Sequence, residues 1–291
     1  MQPDLTQELL ELVRLAATDL PDDVEAALRA ARDREDEGSV ARSVLDTILR
    51  NVEMARANST PICQDTGVPI FYVDIPQGWS MREMRRQIEA AVAEATKRVY
   101  LRPNAVNPLT GKNTGNNIGD EYFPTVHFHE VDGDTVTVRL MLKGGGSENV
   151  STQYKLPDSR LHAGRDLEGV YKVVMDAIYQ AQGKGCAPGF IAVGIGGDRG
   201  SSYYAAKESL WRRLDEENPD PALAELERRI TEDANKLGIG PMGLGGKTTV
   251  VATRIKAVHR LPACYFVSIA YMCWAYRRHM MIYRNGKAEY K

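Results

Sequence analysis

Pro61-Ile62-Cys63-Gln64-Asp65-Thr66-Gly67 separates a long stretch of helical spacing from the apolar, strand-like run Ile70-Phe71-Tyr72-Val73. A helix-to-strand junction of this kind places the chain among folds that mix both elements. It also sets a thiol two residues from a carboxylate in a loop at a strand end, where side chains are presented outward rather than packed.

Upstream of the junction, apolar residues recur at helical spacing over residues 5 to 18 (Leu9, Leu10, Leu12, Val13) and 22 to 57 (Val24, Ala27, Leu28, Ala31, then Val44, Leu45, Ile48, Leu49, Val52), with Pro21 between them. Downstream, residues 80 to 99 read as an amphipathic helix begun by Ser80, with Glu83 at capping-box spacing. The polar segment from Asn104 to Asp120, with Asn113-Thr114-Gly115-Asn116-Asn117, is a long loop of the sort that is often functional. Thr125 to Val131 and Thr135 to Leu142, on either side of Asp132-Gly133-Asp134, predict a hairpin. Helices are predicted over 166–182, 201–215 and 221–237, and apolar strands over 190–193, 249–257 and 265–274. The sum is an α+β fold of helices and mostly antiparallel sheets. An N-terminal helical layer, residues 1–58, precedes an α/β region over 59–291, the whole expected as one compact subunit.

The 291 residues carry 37 basic and 39 acidic side chains, a formal charge of −2, with 43% hydrophobic residues. That balance gives no electrostatic reason for a nucleic-acid or membrane partner. The start Met1-Gln2-Pro3-Asp4 lacks the basic and apolar run of a secretory signal, and Leu261 to Ala275 is too short to span a bilayer. A cytoplasmic protein is expected. Cys63, Cys186, Cys264 and Cys273 lie far apart with no CxxC pair, so in a reducing compartment they are thiols or metal ligands.

Two glycine segments fail as nucleotide loops. Gly238-Ile239-Gly240-Pro241-Met242-Gly243 follows a helix instead of a strand and carries a proline that donates no amide, and Gly246-Lys247-Thr248 has that same Pro241 where a phosphate loop needs its first glycine. Tight turns and close backbone approach explain both better. His127 and His129 share one strand face, as a metal pair would, yet no third ligand is near in sequence, and ordinary hydrogen-bonded histidines are the plainer reading. His162 and His279 form no pattern. The acidic runs near 32 to 37 and 214 to 220 read as solvated helix faces. Cys63, Cys186 within Gly183-Lys184-Gly185-Cys186-Ala187-Pro188-Gly189, and Cys273 beside Trp274 each have a setting suited to a ligand, while Cys264 reads as a small core residue. By spacing alone, buried hydrophobe and shared metal ligand both stay open.

Five blocks together resemble a known family. They are Ile62 to Gly67; Lys143-Gly144-Gly145-Gly146-Ser147-Glu148-Asn149; Gly185-Cys186-Ala187-Pro188 with Gly194-Ile195-Gly196-Gly197; Gly238 to Gly246; and Met272-Cys273-Trp274-Ala275 followed by Arg277-Arg278. The chain resembles the alpha subunit of the iron–sulfur hydro-lyases, the class I fumarate hydratases and L-tartrate dehydratases in their two-chain form. The resemblance implies that Cys63, Cys186 and Cys273 hold a 4Fe–4S cluster with one iron lacking a protein ligand, and that the Gly-rich loops surround it. It further implies Asp65 as the proton-handling group, and Gln64, Arg102, the amides of Gly145 and Gly146, and His259 as contacts to a small dicarboxylate. Cys264 falls outside the ligand positions. The further arginines, lysine and threonine of one-chain relatives lie beyond these blocks, so a separate beta subunit is expected, in an assembly of two alpha and two beta chains. Fumarate is the expected substrate and L-tartrate its rival; an iron–sulfur docking subunit without activity is the reading from another class.

Overall fold

A computed structural model describes residues 2–291, which fold as two compact units. One comprises residues up to Pro21, Arg50–Gly145 and Ala275–Lys291; the other comprises Asp22–Leu49 and Gly146–Trp274. Their helices and sheets match the expected α+β class, each sheet being mixed and mostly antiparallel.

In the first unit α1 (Thr6–Thr18) and α4 (Met81–Lys97) cover a five-stranded sheet. The helical spacing read from the sequence puts Leu9, Leu12, Val13, Ala16 and Ala17 of α1 on one buried face, against Ile88, Ala91 and Val92 of α4. Ser80 caps α4 by accepting the Glu83 amide at 3.2 Å. The strands are β1 (Val68–Pro76), β2 (Thr125–Val131), β3 (Val136–Lys143), β8 (Arg278–Arg284) and β9 (Lys287–Tyr290), in the order β2-β1-β3-β8-β9.

The predicted hairpin is corrected here. β2 and β3 are not neighbours: β1 lies between them, parallel to β2 (Phe71 opposite Val126) and antiparallel to β3 (Phe71 opposite Leu140). Phe71, Tyr72 and Val73 are fully buried, as a strand paired on both edges requires, whereas β2 is half-exposed along its length and takes the sheet edge. β8 and β9 form a hairpin that the sequence reading lacks. Arg284 and Lys287 pair across Asn285-Gly286, both in the left-handed region at φ +52° and +76°, as a two-residue primed turn demands.

The second unit is built on β4 (Thr152–Lys155), β5 (Gly189–Ile195), β6 (Val250–Ala257) and β7 (Phe266–Met272), in the order β4-β7-β5-β6. Only β5 and β6 run parallel, joined through α7 (Arg199–Ser209) and α8 (Pro221–Asn235), the helices capped by Asp198 and Asp220. With α6 (Leu167–Ala181) they bury Val170, Val174, Ile178, Ile191, Val193, Ile230, Ile255 and Ile269. Residues 22 to 57, read as one helical stretch, are α2 (Asp22–Arg34) and α3 (Val40–Asn58). No helix among the described residues is long and apolar enough to cross a membrane.

Candidate functional site

The loop after α3 is pinned on both sides of its thiol. The Ile62 amide donates to the Ala17 carbonyl at 3.0 Å, Asn51 Nδ2 donates to the Ile62 carbonyl at 2.8 Å, and the Ile62 side chain is buried. Cys63 follows, a partly exposed thiol. Beyond it Thr66 is fully buried, its Oγ1 accepting from the Arg102 amide at 3.1 Å and from Asn104 Nδ2 at 3.0 Å. Asn117, buried and in the left-handed region, braces this contact: its Oδ1 accepts from the Asn104 amide and its Nδ2 donates to the Arg102 carbonyl.

This scaffold brings four of the predicted residues together. Arg102 Nη1 donates to the Gln64 carbonyl at 3.1 Å. Asp65 Oδ1 accepts from the Gly67 amide at 3.0 Å, and Oδ2 accepts from the Gly145 amide at 2.7 Å. The Gly145 N–H, expected as a donor to substrate, is thus engaged by Asp65. Gly67 closes the loop at φ +76°, where a Cβ would fall 2.7 Å from the Lys143 carbonyl carbon and oxygen.

Asn104 and Asn117 carry structural weight that the sequence reading assigned only to a long loop. Arg277 is a second omission. Its side chain is 1% exposed, Nε and Nη1 have no hydrogen-bond partner among the described residues, and Nη2 lies 3.7 Å from where a Cβ on Gly144 would stand, a point only 3.0 Å from Asp65 Oδ2. The paired arginines after Cys273 were the sequence signal for it.

In the second unit Cys186 sits in a tight turn at φ +56°, its amide donating to the Gly183 carbonyl and its carbonyl accepting from the Trp274 amide at 3.2 Å. Cys186 and Cys273 are therefore neighbours through the backbone. The Tyr271 ring runs against this turn: a Cβ on Gly185 would meet Cε1 at 2.5 Å, and one on Gly189 would meet Oη at 2.4 Å. Gly146, in the short helix α5 (Gly145–Asn149), faces the Lys184 carbonyl, 3.5 Å from its own would-be Cβ. His259 is exposed on the loop after β6, its carbonyl accepting from the Gly197 amide. Cys264 is partly exposed in a turn closed by its amide on the Leu261 carbonyl.

The glycine-rich 238–246 segment is anchored by an acid read as solvated. Glu35 is 4% exposed, and its carboxylate accepts from the Lys247 amide at 2.9 and 3.0 Å and from the Thr248 amide at 2.8 Å. The amides that a phosphate would need are thus already taken. His127 and His129 have ordinary strand partners: His127 lies against the Tyr72 ring, and His129 Nδ1 is 3.6 Å from Asp74. Within the described residues no group of three His, Cys, Asp or Glu side chains is gathered as a metal site. A cavity of about 780 Å³ along β4, lined by Gln153, Lys155, Arg160 and Arg199 among others, takes in none of the predicted residues.

Residues 6–282 match the fumarate hydratase (Fumerase) family. The chain is 49% identical over 94% of its length to a provisionally named class I fumarate hydratase of Geobacillus stearothermophilus, but spans only 54% of that relative, about half. It is 36% identical to a provisionally named L(+)-tartrate dehydratase subunit alpha of Methanocaldococcus jannaschii and 32% identical to the L(+)-tartrate dehydratase subunit alpha of Escherichia coli, spanning 95% and 89% of those chains.

Proposed function

This chain belongs to the family of class I fumarate hydratases and L-tartrate dehydratase alpha subunits, and from that membership we propose that it is the alpha subunit of a cytoplasmic hydro-lyase interconverting fumarate and (S)-malate with a separate beta subunit, two copies of each. The observation that carries the reading is the convergence of Gln64, Asp65 and Arg102 on one braced loop beside Cys63. Fumarate is favoured over tartrate by the higher identity to the Geobacillus relative. The beta subunit is supported by near-complete coverage of two chains named as alpha subunits.

The donor chemistry fits a 4Fe–4S cluster. Cys186 and Cys273 adjoin through their backbones, and the buried Tyr271 hydroxyl beside their turn has no partner among the described residues. Cys63, Cys186 and Cys273 would hold the cluster, and thiolates are its usual ligands. When bound, the cluster supplies a Lewis-acidic iron to polarise the substrate's hydroxyl and carboxylate.

The chain's own residues do the rest. Arg102 offers a planar cation to a carboxylate, and its tie to the Gln64 carbonyl fixes where it stands. Two amides hold the Asp65 carboxylate, one on each oxygen, and each oxygen keeps a lone pair for the hydroxyl proton. Gln64, Gly146 and His259 complete the substrate contacts in this reading, while the Gly145 amide acts by holding the Asp65 carboxylate.

Anaerobic reconstitution with iron and sulfide tests it. The wild-type chain and Cys264→Ser should take up about four irons, and Cys63→Ser, Cys186→Ser and Cys273→Ser should lose them. With its beta chain the wild type should hydrate fumarate faster than it dehydrates L-tartrate. Iron retained without Cys273, or no hydro-lyase activity in the complex, refutes the assignment; tartrate turnover exceeding fumarate turnover moves it to the second branch.

A further inference from the structure

Arg277 is among the largest fully buried side chains, 1% exposed, and it carries a permanent charge. Its carbonyl accepts from the Leu142 amide at 3.0 Å, which ties it to the end of β3 within the first unit. Nε and Nη1 have no hydrogen-bond partner, and the guanidinium makes no ion pair, among the described residues. Nη2 turns toward Gly144, 3.7 Å from the position a Cβ would take there. That same point lies 3.0 Å from Asp65 Oδ2 and 3.5 Å from Asp65 Cγ. A residue without a side chain thus stands between a buried cation and the Asp65 carboxylate.

Packing alone does not call for this arrangement. A charge held in the interior without a partner is costly, and an arginine, unlike a lysine or histidine, cannot shed its proton to escape the cost. Arg254, buried in the second unit, shows how this chain settles such a group: its Nη1 donates to the Thr253 carbonyl, and its Nη2 donates to the carbonyls of Arg213 and Leu214. Nothing comparable closes around Arg277. Its planar fork suits a carboxylate. Asp65 does not fill that role, because its two oxygens are held by the Gly67 and Gly145 amides and make no ion pair with the guanidinium. The other carboxylates that come to this place belong to the substrate.

We infer that Arg277 is a specificity-determining residue, whose guanidinium receives one carboxylate of the dicarboxylate over Gly144 while the substrate's hydroxyl meets Asp65. The inference rests on the hydro-lyase reading proposed above. The exposed Arg102 is then left to the substrate's other carboxylate.

The assembled complex, assayed with fumarate and with fumaramate, in which one carboxylate is a neutral amide, gives the test. Wild type should prefer fumarate in kcat/KM. Arg277→Gln should lower kcat/KM for fumarate roughly 10–100-fold, chiefly through KM, and leave fumaramate nearly unchanged, so that the preference collapses. Arg277→Lys keeps the charge without the fork; it should fall between the two, and it decides the matter if the Gln variant does not fold. Should the complex prefer L-tartrate, the monoamide of tartrate takes the place of fumaramate. A wild-type complex without hydro-lyase activity overturns the proposed function and this inference with it. An active wild type whose preference for the dicarboxylate survives substitution, both substrates losing equally or neither losing, overturns this inference alone.

Discussion

Replacing Gly67 by alanine places a methyl group against immovable backbone. Gly67 sits at φ +76°, and its new Cβ would fall 2.7 Å from the carbonyl carbon and oxygen of Lys143 and 2.9 Å from its nitrogen. Lys143 is held by its pairing with Val68, so no side chain can swing aside. A left-handed backbone costs a non-glycine residue about 1–2 kcal/mol, and forced overpacking costs about 1–3 kcal/mol more. Gly67→Ala should therefore lose about 2–5 kcal/mol. Gly78 supplies the control: it has φ +84° but nothing within 4 Å of its Cβ position, so Gly78→Ala should lose only the conformational part, about 1–2 kcal/mol. Urea unfolding of both full-length variants, followed by far-ultraviolet circular dichroism, separates strain from collision. Equal losses would show that the Cys63–Gly67 loop does not press on the end of β3, and the account of how Asp65 is held would fall with it.

Glu35→Ala strips the acceptor from the Lys247 and Thr248 amides and should lose about 2–5 kcal/mol, with Glu35→Gln losing less; equal urea midpoints for wild type and Glu35→Ala would contradict the anchoring role. Asp65→Asn turns an amide NH2 toward one of the Gly67 and Gly145 amides; fumarate hydration by the complex should drop about 10²–10⁴-fold while the chain remains folded. Burial holds the His279 imidazole down at about 4. Its folded value lies below the ordinary 6.5 or so of an unfolded chain, so the stability it contributes is complete above that value and is lost as pH falls toward 4. Between about pH 7.5 and 5 the loss from this group should be about 2 kcal/mol, and His279→Gln should flatten that part of the urea-midpoint profile.

Helical spacing, the Ser80 cap and the apolar runs of β1, β5, β6 and β7 are local signals, and each element forms close to where its pattern lies. What escaped is long-range. Residues 125–142 carry two alternating runs and an Asp-Gly turn, and nothing local says that β1, far earlier in the chain, is apolar enough to take the place between them. β8 hides behind Arg278, His279 and Arg284, polar residues that mask a strand, although Asn285-Gly286 is among the strongest hairpin signals a sequence carries. The same division holds at the site. Asp65 stood out as a candidate because it lies two residues from Cys63 in the chain, whereas Gln64 entered only through the family resemblance. Asn104, Asn117 and Glu35 act through partners far from them in sequence, and as isolated letters they look like loop or surface.

The strand order of the first sheet bears on when that sheet can be completed. β3 takes β1 on one edge and β8 on the other, and β8 comes only after all of Gly146–Trp274. A ribosome therefore releases β3 long before its last partner exists, and β3 waits with an open edge while the whole of β4 to β7 is made. Val136, Val138, Leu140 and Leu142 face the core from that waiting strand, the kind of edge to which a second nascent chain adds. The interval between synthesis of β3 and arrival of β8 is thus the time in which this protein is most exposed to misassembly, and a faster-made or chaperone-held stretch after Lys143 would shorten it.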